Sequence, residues 1–267
     1  MALLEEAGIK IPGGKRTLLV PARNFPVEVL FLRDDDIPES VASGVADVGI
    51  VGLNEVMEKR CPVGILKKLG FGKCRLSLAI PQDIDYQDRN WFSGKKIATS
   101  YPGILSDYLH KNGIVSDIHV ITGSVEIAPG IRLADAIFDI VSSGSTLVSN
   151  RLKEVETVVE SEAVLIGTDS ISPEKRGILD ELLFRFDSVQ AADDKKYILM
   201  NVPQKKLNDV LSVLPGIKSP TVMPLADKEW CSVHTVLDEK CFWEIINRLK
   251  TAGAEGILVL DIEKMIL

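Results

Sequence analysis

Residues 133–150 read LADAIFDIVSSGSTLVSN. In this stretch a β-branched apolar run leads into a small, hydroxyl-rich turn, and the residues from Leu147 onward have a helical pattern. Backbone N–H groups at the start of a helix favour an anion, and Gly144 would let the backbone approach one closely. The stretch therefore predicts a strand, a turn and a helix, in which the turn could hold a phosphate.

Polar side chains of the same stretch suggest what the turn could bind. Two carboxylates, Asp135 and Asp139, precede it, and their oxygens suit ribose hydroxyls or a hydrated Mg²⁺. The turn itself has four hydroxyls around one glycine: Ser142, Ser143, Gly144, Ser145 and Thr146. A strand, a turn and a capped helix without a ligand is the plainer interpretation of the serines alone. With the acidic pair, phosphate binding becomes an equal alternative.

Composition limits the function classes. A chain of 267 residues that is 46% hydrophobic and 26% charged is expected to fold, with room for two domains. Its net charge of -7 argues against a general nucleic-acid-binding surface. The 4 cysteines form no C-x-x-C pair and the 3 histidines are scattered, so reduced thiols and no zinc site are expected. With no signal-peptide pattern and no apolar run of membrane-spanning length, a cytoplasmic protein without a membrane partner is expected.

Strand and helix patterns alternate from Val45 to Val155, which indicates α/β units with a mostly parallel sheet. Ligands gather at the carboxyl ends of such strands, and small, hydroxyl or charged residues at four predicted strand ends therefore predict a ligand cleft. These strand ends are Gly52, residues 99–101, residues 124–126 and residues 142–146. Residues 155–167 read as a strand pair without site-like residues, and beyond residues 191–195 the order βαββαβ predicts a ferredoxin-like unit.

Two arginines and one asparagine complete the candidates from the residues alone. Arg33 precedes three aspartates; we assign Asp34 and Asp35 to a helix cap and Arg33 to a ligand. Asn54 follows a buried strand that ends in glycine. Arg75 heads an apolar run, where a surface arginine on an edge strand is the plainer interpretation.

Eight stretches resemble the long form of ATP phosphoribosyltransferase, the first enzyme of histidine biosynthesis. They are RDDDIP (33–38), GVADVGIVGLNEV (44–56), FGKCRLSLA (71–79), KKIATSYP (95–102), GSVEIAP (123–129), LADAIFDIVSSGSTL (133–147), LPGIKSPTVMPL (214–225) and GAEGILVLDIEKM (253–265). They follow the family's order and cover nearly the whole chain, which is far more specific than any one motif.

The resemblance implies an α/β fold with a two-lobed catalytic part like that of periplasmic binding proteins, followed by a C-terminal ferredoxin-like (βαββαβ) regulatory domain. Lobe I would comprise residues 1–80, with residues 155–192 returning to it; lobe II would comprise 81–154, and the regulatory domain 193–267. Family members begin with a further strand and a Gly-Arg-containing loop. We therefore expect this chain to be less stable and less active than one extended at its N-terminus.

The resemblance also implies the reaction. ATP and phosphoribosyl pyrophosphate would give phosphoribosyl-ATP and pyrophosphate, with Mg²⁺ as the cofactor. Catalysis would proceed by positioning and charge neutralisation without a covalent enzyme intermediate. L-Histidine would inhibit, and the protein would be a homo-oligomer, a dimer or a hexamer.

The family's roles can be carried onto individual residues. Asp135 and Asp139 would face the ribose and the metal, directly or through water, and Arg75 would neutralise the leaving pyrophosphate. The remaining roles would be binding: Glu126 at the ribose; Ser142, Ser143, Gly144, Ser145 and Thr146 at the 5-phosphate; Arg33, Asn54 and Tyr101 at the nucleotide; and Thr221, Ser232 and Thr235 at histidine, between ferredoxin-like domains of adjacent subunits.

Two other interpretations stay open at this point. A non-catalytic ligand-binding or regulatory module of the same fold would share the alternating α/β lobes, but it would not need the acidic pair beside a hydroxyl-glycine turn. An orotate-type phosphoribosyltransferase would share the D-x-x-x-D and S-S-G-S-T stretch, but not the rest of the chain.

Overall fold

The computed structural model describes residues 1–12, 17–215 and 220–266. The strands described are β1 Leu19–Pro21, β2 Glu28–Leu30, β3 Val48–Gly52, β4 Gly64–Lys68, β5 Cys74–Pro81, β6 Lys96–Thr99, β7 Asp117–Val120, β8 Ala136–Val141, β9 Leu152–Ser161, β10 Ala163–Gly167, β11 Lys195–Pro203, β12 Thr221–Pro224, β13 Trp230–Asp238 and β14 Glu255–Asp261. The helices described are α1 Ala2–Glu6, α2 Ile37–Ala42, α3 Leu53–Lys59, α4 Pro102–Lys111, α5 Ser145–Ser149, α6 Pro173–Ala192, α7 Leu207–Val213 and α8 Glu239–Ala252.

The chain divides into two compact units. The larger comprises Gly14–Val20 and Glu28–Arg176, and the smaller comprises Met1–Gly13, Pro21–Val27 and Gly177–Leu267. Strands β1 and β2 form a two-stranded sheet of their own. The lobe and domain boundaries expected from the sequence remain predictions.

A five-stranded sheet carries most of the candidate site residues. Its order is β7-β6-β8-β5-β9, with β6 parallel to β7 and β8, and β5 antiparallel to β8 and β9. Successive side chains point to opposite faces of a strand, so Leu76 and Leu78 pack in one buried cluster with Phe138, while Ala79 packs in another with Ile137. Burial on both faces explains why β5 and β8 read as nearly continuous apolar runs.

The expectation of a mostly parallel sheet is wrong. Within the described residues of the larger unit, parallel pairing is confined to β6 and its two neighbours, and the three-stranded sheet β3-β10-β4 is antiparallel throughout. Parallel neighbours need a crossover of about a dozen residues. Only Glu162 separates β9 from β10, and the two strands belong to different sheets. Alternation of patterns along the sequence does not reveal that the chain leaves one sheet for another.

The smaller unit contains the ferredoxin-like sheet. Its strands pair antiparallel in the order β12-β13-β11-β14, and the chain order β11-α7-β12-β13-α8-β14 is the predicted βαββαβ. Helix α8 buries Phe242, Ile245 and Leu249, spaced to lie on one helical face, against Ile198 and Val233. Among the described helices none is both long enough and apolar enough to cross a membrane.

Candidate active site

The serine turn, residues 142–146, lies where β8 leaves the five-stranded sheet. Gly144 has φ +80°, a left-handed conformation that favours glycine, and α5 begins at Ser145 rather than at the predicted Leu147. The hydroxyls of Ser143 and Ser145 lie 3.0 Å apart. All four hydroxyl-bearing residues of the turn are exposed, so a ligand can reach their hydroxyls.

Asp139 lies near the end of β8, directly opposite Ser77 of β5. Its Oδ1 accepts a hydrogen bond of 2.8 Å from the Ile140 N–H. Burial raises the pKa of Asp139 above its ordinary value, and the negative charge of Glu126 acts in the same direction. The structure thus brings Asp139 and Glu126 close enough to interact, and a bound cation would relieve their repulsion.

Asp135 lies at the opposite end of the same strand. It precedes β8, is exposed, and accepts a 2.9 Å hydrogen bond from the Lys96 N–H at the amino end of β6. Four residues of strand span about 13 Å, so Asp135 and Asp139 cannot share one metal ion with ligand distances near 2 Å. The structure therefore does not bring Asp135 to the serine turn, contrary to the predicted acidic pair.

Arg75 lies beside the serine turn and already has partners. Its Nε and Nη2 donate to the two carboxylate oxygens of Glu154 at 2.6 and 2.5 Å, and its Nη1 donates to the Ser142 carbonyl at 3.1 Å. Since β5 lies between β8 and β9, Arg75 is on an inner strand and not on an edge strand. The ion pair holds the pKa of Glu154 at about 2, so both groups stay ionised at neutral pH.

Four polar residues form the buried corner: Asn54, Glu55, Tyr101 and Ser161. Ser161 donates to Asn54 Oδ1 at 2.8 Å and accepts from the Asn54 N–H at 3.1 Å. The Tyr101 hydroxyl donates to Glu55 Oε1 at 2.9 Å. Burial raises the pKa values of Glu55 and Tyr101, and the charge of Asp139 also raises that of Tyr101. Glu55 and Ser161 were missed by the sequence reasoning, although Glu55 directly follows the candidate Asn54.

Arg33 and Asp34 differ from the sequence expectation. The Arg33 side chain is 84% exposed, and its Nε lies 3.4 Å from Oδ1 of Asp35. Asp34, expected only to cap a helix, lines a cavity with Asn54 and Tyr101. Asp34 therefore borders the cavity of the buried corner, while the Arg33 side chain lies in solvent.

Two cavities adjoin these groups. The cationic cavity, of about 460 Å³, is lined by Leu53, Lys68, Lys73, Cys74, Arg75, Ser142, Glu160, Ser161 and Glu162. The acidic cavity, of about 260 Å³, is lined by Asp34, Gly52, Asn54, Glu55, Gly72, Cys74, Tyr101, Ile140 and Ala163. In the first cavity the three cations outnumber the two glutamates, which suits a polyanion. Amide, carboxyl and phenol groups in the second suit hydrogen bonding to a base.

The donor set near the serine turn fits Mg²⁺ better than a metal held by protein alone. The described part of the chain has no cluster of three or more His, Cys, Asp or Glu that could hold a metal ion. Mg²⁺ commonly takes one or two carboxylates and completes its shell with substrate phosphates and water. Asp139, with Glu126 near enough for its charge to raise the pKa of Asp139, provides carboxylates of that kind.

Family models match most of the chain. The model described as ATP phosphoribosyltransferase matches residues 33–188, and the model described as HisG, C-terminal domain matches residues 192–264. The chain belongs to the ATP phosphoribosyltransferase family. Members of this family are transferases of histidine biosynthesis that need a metal ion.

Individual members of the ATP phosphoribosyltransferase family are close in sequence. The chain is 70% identical over 267 residues to the ATP phosphoribosyltransferase of Bacteroides fragilis, covering 100% of this chain and 94% of that protein. It is 57% identical over 264 residues to that of Cytophaga hutchinsonii, covering 99% of this chain and 92% of the relative. Among solved structures, the ATP phosphoribosyl transferase (HisG:HisZ) complex from Thermotoga maritima matches with TM-score 0.60 and 25% identity, covering 70% of this chain and 91% of that chain.

Membership of the ATP phosphoribosyltransferase family confirms the predicted family, fold class and kind of enzyme. It supports the transferase and neither the non-catalytic module nor the orotate-type enzyme. The roles of the individual site residues remain predictions.

The three residues predicted to bind histidine do not share one face of the ferredoxin-like sheet. Thr221 pairs with His234, and Ser232 lies two residues from His234, so these side chains are on one face. Thr235 lies on the other face, opposite Ile198 of the helix-covered core. Only Thr221 and Ser232 are brought together, beside a His234 ring that bonds Ser232 Oγ at 2.9 Å.

Proposed function

We propose that this chain transfers the phosphoribosyl group of phosphoribosyl pyrophosphate to ATP, with Mg²⁺, giving phosphoribosyl-ATP and pyrophosphate. The reaction would open histidine biosynthesis in the cytoplasm. One observation carries the proposal: in a chain of this family, a half-buried Asp139 near the end of β8 precedes an exposed serine turn whose Ser142 carbonyl is held by Arg75.

The serine turn would hold the 5-phosphate. Exposed hydroxyls and the left-handed Gly144 support this role, because the backbone can approach the anion without a Cβ in the way. Asp139 and Glu126 would bind the ribose hydroxyls. When bound, Mg²⁺ would neutralise charge on the pyrophosphate oxygens.

The two cavities would bind the other ends of the substrates. Lys73 and Arg75, which line the cationic cavity, would face the pyrophosphate. Asn54, Glu55 and Tyr101 would orient adenine from the acidic cavity. A ring nitrogen of adenine then attacks the anomeric carbon while the bond from that carbon to the pyrophosphate oxygen breaks, and pyrophosphate leaves with the bonding pair. The residues contribute orientation and charge balance and need no nucleophile of their own.

Regulation by L-histidine and assembly into a homo-oligomer, as a dimer or a hexamer, are part of the same proposal. The match of the C-terminal domain and the shared face of Thr221 and Ser232 support a histidine site there. Ser232→Ala should raise the histidine concentration needed for half inhibition about fivefold, as expected for loss of one hydrogen bond. An unchanged inhibition curve would contradict this site.

The first experiment is turnover of the full chain with ATP, phosphoribosyl pyrophosphate and Mg²⁺, with phosphoribosyl-ATP and pyrophosphate both quantified. The two products should form in equal amounts, chelation of Mg²⁺ should stop the reaction, and L-histidine should slow it. A folded chain that binds phosphoribosyl pyrophosphate but makes neither product would favour the non-catalytic module instead.

A further inference from the structure

A chain of hydrogen bonds joins β9, through β5, to the serine turn. The Glu154 carboxylate on β9 accepts two hydrogen bonds from Arg75, and the third arm of that guanidinium donates to the Ser142 carbonyl. Ser142 is the first residue of the serine turn. The position of this carbonyl is therefore tied to a side chain twelve residues further along the sequence, which itself touches no part of the turn in the hydrogen bonds described.

The Glu154 carboxylate is held in place by further hydrogen bonds. Besides the two bonds from Arg75, its Oε1 accepts from Ser77 Oγ at 2.7 Å and from Thr157 Oγ1 at 3.1 Å. These four donors, three on Oε1 and one on Oε2, hold the carboxylate in place, and the Arg75 guanidinium lowers its pKa, so it neither takes up a proton nor swings away at neutral pH. The guanidinium is consequently oriented before any substrate arrives.

The orientation of the guanidinium fixes a peptide plane. A trans peptide is planar, and its C=O and the following N–H point in opposite directions. With the Ser142 carbonyl held by Arg75 at 3.1 Å, the Ser143 N–H must point away from the guanidinium at the start of the serine turn. Loss of that anchor would leave the Ser142–Ser143 peptide free to rotate.

We infer that Glu154 is a positioning residue for phosphoribosyl pyrophosphate, acting through Arg75 on the Ser142–Ser143 peptide. The inference rests on the proposed function, because the serine turn is taken to hold the 5-phosphate. It gives Arg75 a structural task in addition to any contact with pyrophosphate. If Arg75 acted only as a cation for the leaving group, removal of Glu154 would free the guanidinium and leave the turn unchanged.

Glu154→Gln tests the relay. The amide keeps the size of the side chain but loses the charge and one of the two acceptors for Arg75. We expect KM for phosphoribosyl pyrophosphate to rise about tenfold, KM for ATP to stay within about twofold, and kcat to fall by less than about threefold. A purely structural role would lower the melting temperature without this selective change in one KM.

Glu156→Gln is the matched control on the same strand. The Glu156 carboxylate accepts from the hydroxyls of Tyr86 and Tyr108, at 3.0 and 3.4 Å, and takes no part in the relay. The same loss of charge should leave KM for phosphoribosyl pyrophosphate within about twofold of the wild-type value. A tenfold rise in this control would mean that any carboxylate lost from β9 disturbs the site, which would overturn the inference.

A double-mutant cycle shows whether Glu154 acts through Arg75. Arg75→Lys removes the fork that bonds two oxygens at once. If the relay is right, the double variant should raise KM for phosphoribosyl pyrophosphate no more than the larger single change does. Additive effects, or an unchanged KM in folded Glu154→Gln, would overturn the inference.

Two further measurements distinguish failure of the proposed function, failure of the relay and misfolding of a variant. Wild-type protein that makes no phosphoribosyl-ATP would defeat the proposed function itself, whatever the variants do. If Glu154→Gln does not fold, Ser77→Ala carries the test, because it removes one of the four bonds to Glu154 and leaves the charge in place. It should raise the same KM about two- to threefold, and no change in a folded Ser77→Ala would count against the relay.

Discussion

The serine turn and the buried corner are both polar, but their polar groups are satisfied in different ways. In the buried corner, Asn54 and Ser161 are each 5% exposed, and they hydrogen-bond each other. In the serine turn the hydroxyl-bearing residues are exposed, and its shape is set by the left-handed backbone of Gly144 and by the bond from Arg75, which lies outside the turn. The corner is complete without substrate, whereas the turn keeps its shape and leaves donors for a ligand.

This difference predicts what substitutions will cost. A buried group that loses its partner costs the free energy of desolvation, so changes in the corner should lower stability. An exposed hydroxyl can bond water instead, so loss of a hydroxyl in the turn should lower activity and leave stability nearly unchanged. Substitutions in and beside the two regions test that division.

Asp139→Asn should reduce kcat about a thousandfold, since it removes the charge that would face the ribose and Mg²⁺ beside the serine turn. The raised pKa of Asp139 reflects the cost of burying its charge, so the neutral amide should not lower the free energy of unfolding at neutral pH. Steady-state turnover and urea unfolding measure the two quantities.

Asp135→Asn is the control for this change on the same strand. Its side chain lies at the far end of β8 and can still accept from the Lys96 N–H as an amide. Turnover should stay within about threefold of the wild-type value. If Asp135→Asn lost as much activity as Asp139→Asn, the two aspartates would act together as predicted from the sequence, although the structure separates them.

Asn54→Ala should lower the free energy of unfolding by about 2–3 kcal/mol, because it removes the buried amide that accepts from the Ser161 hydroxyl and donates to Glu55. Ser145→Ala in the exposed turn should change it by less than about 0.5 kcal/mol. The same Ser145→Ala variant should raise KM for phosphoribosyl pyrophosphate several-fold. If urea unfolding showed Asn54→Ala and Ser145→Ala to be equally destabilised, the proposed difference between corner and turn would be wrong.

Gly144→Ala should cost about 1–2 kcal/mol, because φ +80° is unfavourable for a residue with a Cβ. The added Cβ would meet no atom closer than Val141 Cγ1 at 4.0 Å, so the cost comes from the backbone and not from a clash. Gly177→Ala in α6 is the opposite case, with ordinary φ and open space around the Cβ. Gly177→Ala should raise the free energy of unfolding by about 0.5–1 kcal/mol. Thermal unfolding of both variants checks that Gly144→Ala destabilises the protein and that Gly177→Ala stabilises it.

The serine turn could be predicted from the sequence because its strand, glycine and hydroxyls are contiguous. The buried corner could not be, since Asn54 and Ser161 are 107 residues apart and meet only after β3 and β9 are in place. Residues 155–167 were expected to have no site residue, yet they contribute Ser161. Side chains that pair across such separations leave no periodic pattern in the sequence.

The acidic pair is a different case, because the separation of Asp135 and Asp139 could have been predicted from the sequence. Residues four apart share a face in both a helix and a strand, but they lie about 6 Å apart in the first and about 13 Å in the second. The sequence indicated a strand over residues 136–141, so the distance between Asp135 and Asp139 followed from the predicted element itself. The contacts of Arg75 with Glu154 and Ser142 depended instead on the order of β8, β5 and β9 in the sheet, which no local pattern reports.

The smallest effect concerns pH, where the two regions should respond with opposite signs. The pKa of Glu154, beside the serine turn, is lowered from 4.5 to about 2, so the stability it contributes is present above 4.5 and is lost as pH falls through about 2. The pKa of Glu55, in the buried corner, is raised above 4.5, so its contribution is present below 4.5 and is lost as pH rises through the raised value.

Substitution of Glu154 or Glu55 by glutamine should reveal these opposite effects of pH on stability. Between about pH 5 and about pH 3, Glu154→Gln should lose less unfolding free energy than wild type, by about 1 kcal/mol after allowance for solvent screening. Glu55→Gln should lose more than wild type, because the stabilising uptake of a proton by the folded state is gone. Urea unfolding at the two pH values measures both differences. If both variants lose the same unfolding free energy between the two pH values, neither the ion pair beside the turn nor the burial of the corner sets how stability changes with pH.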